Sequence, residues 1–378
     1  MNKTKTIGIL GGGQLARMSA FEAYKLGFRI AILEKKKNSP AGMMTHNEFV
    51  GWVDNKKIFQ RFIDHSDLVT LENEFIDTQF LKQIEDSGKK VFPSSKTISL
   101  IQDKLIQKKT LRKNSIPVPE FIEVKSKKDF DKISKSLGSK FLLKSRKMGY
   151  DGYGNATVNS EPDFIKGYER LTERHSSIMA EKFVDFQKEL AVMVVRTKKE
   201  IKIYPVVETI QKNHICHTVL APAKVDPKII EEVKAIAVEA VKAVKGIGIF
   251  GIEFFLDSGN QILVNEMAPR PHNTGHYTIE ACATSQFENH IRAVAEFPLG
   301  STEMIKPAAV MINMLGKKKQ KSLSSNQKEA LKNAGLHFHF YGKGESRIGR
   351  KLGHLTMVGD NQKDIFTKLK SVEEKIFL

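Results

Sequence analysis

The sequence predicts an α/β domain built on a doubly wound parallel sheet, followed by an α+β region and a small β-rich C-terminal domain. Three observations carry this expectation. Short apolar runs alternate with helical patterns as far as residue 98, the prolines of Ser115-Ile116-Pro117-Val118-Pro119 then interrupt the chain, and the remainder mixes longer β-rich runs with fewer helices.

The elements follow in order. Residues 6–10 form an apolar run ending in Gly11-Gly12-Gly13, and residues 14–25 carry apolar side chains at helical spacing, so strand, turn and helix succeed one another. Residues 29–33, 68–71 and 90–92 read as further short strands between helices. Residues 99–114 are expected as one helix, after which the prolines force extended chain. Strands are expected at 141–144, 178–183, 190–196 and 201–207, and helices at 127–137 and 227–244. The lysine- and serine-rich stretch 316–325 reads as a loop before a strand-rich segment and a last helix. The expected divisions are 1–98, 99–298 with a lid subdomain at about 116–184, and 299–378.

Composition narrows the function classes. The 378 residues, 40% hydrophobic and 28% charged, are far from a disordered profile. Lys+Arg 61 against Asp+Glu 43 gives a formal charge of +18, which favours anionic partners such as nucleotides and sugar phosphates. The lysines at 35–37 and 317–319 read as solvated faces, and no aromatic residues interleave with basic ones in a ribonucleoprotein motif, so no nucleic-acid partner is expected. Cys216 and Cys282 form neither a disulfide framework nor a metal-ligand spacing. The first residues run into a glycine turn rather than a signal-peptide core, and no segment reaches the length of a membrane span. A cytoplasmic protein with no membrane partner is expected.

Residues 248–256 (GIFGIEFFL) and 261–267 (QILVNEM) flank the turn cluster Asp257-Ser258-Gly259-Asn260 and read as a β-hairpin. With either a two- or a four-residue loop, Glu253 lies opposite Val264 and Gly251 opposite Glu266. The two carboxylates then share a face as diagonal neighbours, about 7–8 Å apart at Cα. Gly251 is expected to leave room there for an ion. Converging like charges call for a cation, and hard oxygen ligands suit Mg²⁺ carried in with a nucleotide. Taken alone, a solvated sheet face explains the pair equally well.

Between the strand at 141–144 and Ala156 lies Arg146-Lys147-Met148-Gly149-Tyr150-Asp151-Gly152-Tyr153-Gly154-Asn155. Its glycines let backbone N–H groups approach phosphate oxygens, and such a loop can act as a lid, although no Walker A pattern is present. Lys144 and Lys104 each offer a point charge to phosphates. A glycine hairpin with nothing to bind explains the glycines but not Lys144 and Arg146. Glu181-Lys182-Phe183-Val184 ends a strand whose backbone could read an adenine edge, with Glu189 accepting from ribose hydroxyls.

In that order, the lysine ahead of the 149–155 loop, Glu181 to Val184, Glu253 and Asn265-Glu266 resemble the ATP-grasp superfamily. Within it, the Gly-Tyr-Asp-Gly-x-Gly loop, Met267-Ala268-Pro269-Arg270-Pro271-His272-Asn273-Thr274-Gly275-His276 and Gly349-Arg350-Lys351-Leu352-Gly353-His354 resemble the N5-carboxyaminoimidazole ribonucleotide synthetases of purine biosynthesis. The likeness runs from Gly11 to about His354.

The resemblance implies an ATP-grasp fold and a homodimer. It implies that ATP, with Mg²⁺ or Mn²⁺, activates bicarbonate for transfer to the amine of 5-aminoimidazole ribonucleotide. Glu253 and Glu266 would hold the metal. Lys104, Lys144, Gly149, Tyr150, Asp151, Gly152, Tyr153, Gly154, Asn155, Glu181, Lys182, Phe183, Val184, Glu189, Gln211, Asn265 and Glu266 would surround ATP. Arg270, His272 and Asn273 would bind bicarbonate, and Asp151 would orient the amine beside Tyr150. The ribose phosphate has two candidate sites, Gly13 and Gln14 at a helix N-terminus and the group Lys343, Arg347, Arg350 and Lys351. Two departures stand out. Ala268 replaces an asparagine that many ATP-grasp enzymes add as a metal ligand, and Gln211 stands where the family tends to carry histidine.

Rival readings start from other residues. Gly11, Gly13 and Ala16 fit G-x-G-x-x-A with Glu34 after the next strand, the pattern of a dinucleotide-binding dehydrogenase, but that leaves the later loop and the glutamates without a role. A ligase acting on glycinamide ribonucleotide is the nearest enzyme alternative. His337 and His339 alternate along a strand and read as structural. His272 and His276 stand four apart, but Pro271 and Gly275 argue against a zinc-binding helix.

Overall fold

The computed structural model describes residues 4–149, 154–173, 177–321 and 326–376. Strands β1 (Thr6–Leu10), β2 (Arg29–Glu34), β3 (Glu48–Val50), β4 (Leu68–Leu71) and β5 (Lys90–Phe92) form a parallel sheet in the order β3-β2-β1-β4-β5. Helices cover both faces, which is why β1 and β4 are buried at every position. β3 was not expected, since Glu48-Phe49-Val50 buries only Phe49 and forms no apolar run. The strand order reverses between β1 and β4, so a crevice opens beyond their carboxyl ends, at Gly11 and Glu72.

The helix expected over 99–114 is two helices, Ser95–Ile101 and Lys104–Lys113. Asp103 causes the break. Its carboxylate accepts from the backbone N–H groups of Leu105 (2.9 Å) and Ile106 (3.2 Å), capping the second helix and placing Lys104 at its first position.

A second sheet contains β6 (Phe121–Val124), β7 (Phe141–Ser145), β8 (Asn155–Val158) and β9 (Ile178–Lys182), antiparallel in the order β6-β9-β7-β8. Among the described residues the third sheet has nine strands: β10 (Phe186–Arg196), β11 (Ile201–Ile203), β12 (Val207–Lys212), β13 (Ile215–Ala221), β14 (Gly248–Asp257), β15 (Ile262–Ala268), β16 (Ala308–Leu315), β17 (Leu336–Phe340) and β18 (Lys351–Gly359). Its order is β15-β14-β10-β12-β13-β16-β18-β17, with β11 paired to β10. The strand expected over 201–207 is split into β11 and β12 around Pro205, which has no N–H to give a ladder. The C-terminal strands do not close a sheet of their own. They extend the central one through β13 and β16, where Thr218 lies opposite Ile312 and Ala221 opposite Ala309.

Helix Pro227–Ala243 buries Val233, Ala237, Ala240 and Val241 against the central sheet, and helix Gln362–Lys375 covers β16 and β18 through Ile365, Leu369 and Val372. No helix among the described residues is long and apolar enough to cross a membrane.

Candidate active site

The glutamate pair is closer than the sequence suggests. Glu253 stands directly opposite Glu266, rather than opposite Val264, and Gly251 stands opposite Ala268. Two irregularities cause this. The hairpin loop is Ser258-Gly259-Asn260, with Asn260 left-handed at φ 63°, and this odd-length loop shifts the register by one residue. A bulge at Asn265 shifts it by one more, returning Glu266 to the face of Glu253. Gly251 does not leave room for an ion. A Cβ there would lie 2.4 Å from the Cβ of His272, so the glycine makes room for that histidine.

Helix Lys104–Lys113 holds the bulge. Gln107 accepts from the N–H of Met267 (3.0 Å) and donates to its carbonyl (2.9 Å), while Lys108 donates to the carbonyl of Val264 (3.0 Å). Lys104 pairs with Glu266.

Burial, and then the nearby charge of Glu266, push the Glu253 carboxyl up to about 8. Burial also acts on Glu266, but the Lys104 ammonium outweighs it and holds that carboxyl well below the usual range. A pair of oxygen-only donors whose mutual repulsion is only half relieved by one lysine fits a hard divalent cation such as Mg²⁺ or Mn²⁺.

Beside the pair lies a buried lysine cluster. Lys144 pairs with Glu181 and donates to Asn265 Oδ1 (3.3 Å), and Lys108 stands 2.8 Å from the other oxygen of Glu181. Burial lowers Lys108 to about 8, with Glu181 opposing that fall. Two lysines against one glutamate leave positive charge in the core, a setting for phosphate. Glu181 is therefore committed to lysines.

Lys182 bonds Glu120 through its backbone N–H (2.8 Å) and its ammonium (3.2 Å). Phe183 lies under Lys140, 3.5 Å from ring centre to Nζ, and Val184 follows in the connection to β10. Glu189 is half-buried and receives a hydrogen bond from Gln211, so these two sequence candidates do meet.

The glycine loop is described at its ends. A Cβ on Gly154 would lie 2.6 Å from the Cα of Gly149, so the neck is pinched to glycine dimensions, and Lys104 adjoins Gly149. Asn155 pairs with Lys144 across β8 and β7. Tyr150, Asp151, Gly152 and Tyr153 lie outside the described residues. Arg146 does not point to phosphate. It forks onto Asp103 (2.8 Å) and Glu123 (2.7 Å), tying the lid sheet to the cap of the Lys104 helix.

The segment after β15 turns toward the first sheet. Arg270 grips Glu74 through Nε (2.6 Å) and Nη2 (3.1 Å). Burial, and then the Arg270 charge, lower His272 to about 3, so its ring is neutral at pH 7. His272 Nδ1 lies 2.9 Å from the Thr274 hydroxyl, and its Nε2 lies 3.7 Å from Glu253. Asn273 exchanges hydrogen bonds with Asn313 (2.9 and 2.6 Å), so its amide holds the loop against β16.

The two candidate phosphate sites adjoin. Gly13 lies on Glu72, whose oxygen would be 2.2 Å from a Cβ there, and Gln14 opens the following helix. Burial raises the Glu72 carboxyl, while Asn73 and then the charges of Arg270 and Lys343 pull it back. Lys343 thus faces the same crevice, and its ammonium also donates to the Lys351 carbonyl (2.7 Å). Lys351 is near enough for its charge to favour ionised Glu253. Arg347 and Arg350 lie in the turn before β18, where Arg350 pairs with Glu345 at 3.1 Å. Glu34 accepts from the Gly12 N–H (2.8 Å), closing the glycine turn with the carboxylate that a dinucleotide site would offer to ribose.

Lys108, Gln107, Glu72, Glu74 and Asn313 were missed from sequence. Lys108 had a signal, one helical turn after Lys104. So did Glu72 and Glu74, which follow a strand at the switch point. Gln107 and Asn313 had none.

Comparisons with known proteins agree along the whole chain. Family models described as the ribonucleotide synthetase preATP-grasp domain, the ATP-grasp domain and the phosphoribosylaminoimidazole carboxylase C-terminal domain match residues 4–102, 109–287 and 309–368. The phosphoribosylaminoimidazole carboxylase of Candida glabrata is 41% identical over 98% of this chain, which spans 66% of the length of that longer protein. The N5-carboxyaminoimidazole ribonucleotide synthase of Staphylococcus aureus is 38% identical, with 98% of each chain covered. Among solved structures, the carboxyaminoimidazole ribonucleotide synthase of Aspergillus clavatus complexed with ATP superposes at TM-score 0.90 and 36% identity, covering 98% of this chain and 99% of that one. Its complex with ADP and 5-aminoimidazole ribonucleotide gives TM-score 0.89 and 35% identity, covering 98% of each. The chain belongs to the N5-carboxyaminoimidazole ribonucleotide synthase family of ATP-grasp proteins.

Proposed function

We propose that the chain is a carbon–nitrogen ligase that carboxylates 5-aminoimidazole ribonucleotide with bicarbonate, cleaving ATP to ADP and phosphate, in purine biosynthesis. The observation that carries this reading is one run of interacting charged groups, from Lys104 and Glu253 through Glu266 and Arg270 to Glu72 and Lys343. One end holds the buried lysines beside Glu253 and Glu266, and the other holds Arg270, Lys343 and the Gly11–Gly13 turn. Identity to family members of matching length supports it.

In this reading Lys104 and Lys144 exchange glutamate partners for phosphate oxygens, and the 149–155 loop closes over them, with Glu181 to Val184, Glu189 and Gln211 around the nucleoside. A magnesium ion held by Glu253 and Glu266, and completed by ATP and water since Ala268 adds no ligand, would neutralise charge on the β- and γ-phosphates. Arg270 and neutral His272 hold bicarbonate while one of its oxygens attacks the γ-phosphorus and ADP leaves, and Asn273 fixes their loop. The amine nitrogen then attacks the carboxyphosphate carbon, or CO₂ freed from it. Phosphate departs and the amine gives up a proton. Tyr150 and Asp151 are assigned to the imidazole by the family resemblance, and Gly13, Gln14, Lys343, Arg347, Arg350 and Lys351 to the ribose phosphate. The working form is a cytoplasmic homodimer, divided at 1–98, 99–298 and 299–378 as the sequence suggests.

An ADP-release assay tests the reading. Aminoimidazole ribonucleotide with bicarbonate is expected to drive release, and glycinamide ribonucleotide with formate is not. Glu266→Gln is expected to lower turnover by roughly a hundredfold or more with the fold intact. Release with the second pair alone would overturn the substrate, and near-normal turnover of the variant would overturn the metal position.

A further inference from the structure

We propose that Glu280, His339 and His354 form a second metal site that takes a divalent transition-metal ion of the Zn²⁺ class, separate from the glutamate pair. Among the described residues they are the group whose His and carboxylate ligand atoms all lie within 4.8 Å of one another. Glu280 sits on the short helix Thr278–Ala281, while His339 and His354 are cross-strand partners on β17 and β18. Their rings stack at 4.3 Å and 9°, and His339 Nε2 lies 2.6 Å from Glu280 Oε1, so to share an ion with the fixed His354 ring the more exposed His339 ring turns out of the stack.

Unpartnered buried atoms point to a ligand. His354 is 0% exposed, and its Nε2 has no hydrogen-bond partner. The second oxygen of Glu280 has none either, nor does Nε2 of His276, whose ring lies 5.2 Å from that of His354. Orphaned polar atoms at this depth are uncommon in a folded protein.

His354 is also pre-oriented. Its Nδ1 lies 2.9 Å from the Tyr341 hydroxyl, and with Nδ1–H donating to that oxygen the Nε2 lone pair is left for a cation. Burial keeps the ring neutral. Two imidazoles and one carboxylate suit zinc or a neighbouring transition metal, whereas Mg²⁺ prefers oxygen alone. His339 is 28% exposed and provides the way in. Such an ion would staple the helix that follows the Arg270–His276 loop to the C-terminal strands.

The test uses untagged full-length protein, stripped with a chelator and then held in excess Mg²⁺ so that oxygen-only sites are occupied. Titration with Zn²⁺ is expected to load about one ion per chain and to raise Tm by at least roughly 2 °C. Co²⁺ is expected to give the visible absorption of nitrogen and oxygen ligation. His339→Ala and Glu280→Gln, each checked by circular dichroism, are expected to weaken uptake by at least roughly tenfold. No uptake by the wild-type chain, or equal uptake and the same Co²⁺ spectrum in His339→Ala, would overturn the proposal and leave a hydrogen-bonded network around an enclosed water.

Discussion

Glu253 and Glu266 cannot both carry a full charge at close quarters without a cation. In the metal-free protein Glu253 takes up the proton, because burial and then the charge of Glu266 raise it to about 8 from an ordinary 4.5. The folded state therefore binds more protons than the unfolded chain across that window, and stability falls as pH rises through it. Glu266 acts in the opposite sense, since its depressed carboxyl stabilises above the ordinary glutamate range and loses that contribution as pH falls. In EDTA and without nucleotide, Glu253→Gln is expected to exceed the wild type at pH 9 by on the order of 1–3 kcal/mol, and to match it near pH 5. Urea unfolding at the two pH values measures this, and equal stabilities at pH 9 would mean that Glu253 is well solvated. Strand alternation puts these glutamates on one face only because two irregularities it does not show, the odd-length loop and the bulge at Asn265, cancel. Their direct opposition was not legible, because it depends on left-handed Asn260 and on a bulge that the neighbouring helix holds in place.

At the scale of elements, that helix presents Lys104, Gln107 and Lys108 along one face, three and four residues apart, and each meets a different residue of β15. The spacing was readable in the sequence. The target strand, more than 150 residues away, and the Asp103 cap that starts the helix at Lys104 were not. Gln107→Ala would leave both backbone groups of Met267 unpaired in the core, an expected loss of about 2–4 kcal/mol. Because the bulge carries Asn265 and Glu266, the KM for ATP is expected to rise as well. Urea unfolding and steady-state kinetics separate the two effects, and an unchanged KM would show that the bulge holds its shape unaided.

At the scale of the whole molecule, the first and third sheets meet through Arg270 and Glu74, side chains only 18% and 13% exposed. Removing one partner of such a pair costs about 3 kcal/mol or more. Glu74→Ala is expected to lower stability by that order and to raise the KM for bicarbonate more than that for ATP, since Glu74 holds Arg270, the side chain assigned to bicarbonate. Equal changes in both constants would place the effect on the fold alone. The doubly wound first sheet was legible because its strands are short, apolar and regularly spaced. The continuity of the C-terminal strands with the central sheet was not, because the β13–β16 pairing joins residues that nothing local relates.

That pairing bears on how such chains can be recombined. Cutting near residue 298 and grafting on another relative's tail treats the last strands as a detachable specificity cassette, yet the cut strips the backbone partner from β13 and leaves an open, apolar sheet margin ready to capture another chain. A workable chimera has to exchange both sides of the β13–β16 seam together. Acceptor preference and nucleotide binding are therefore inherited here as one piece of cloth.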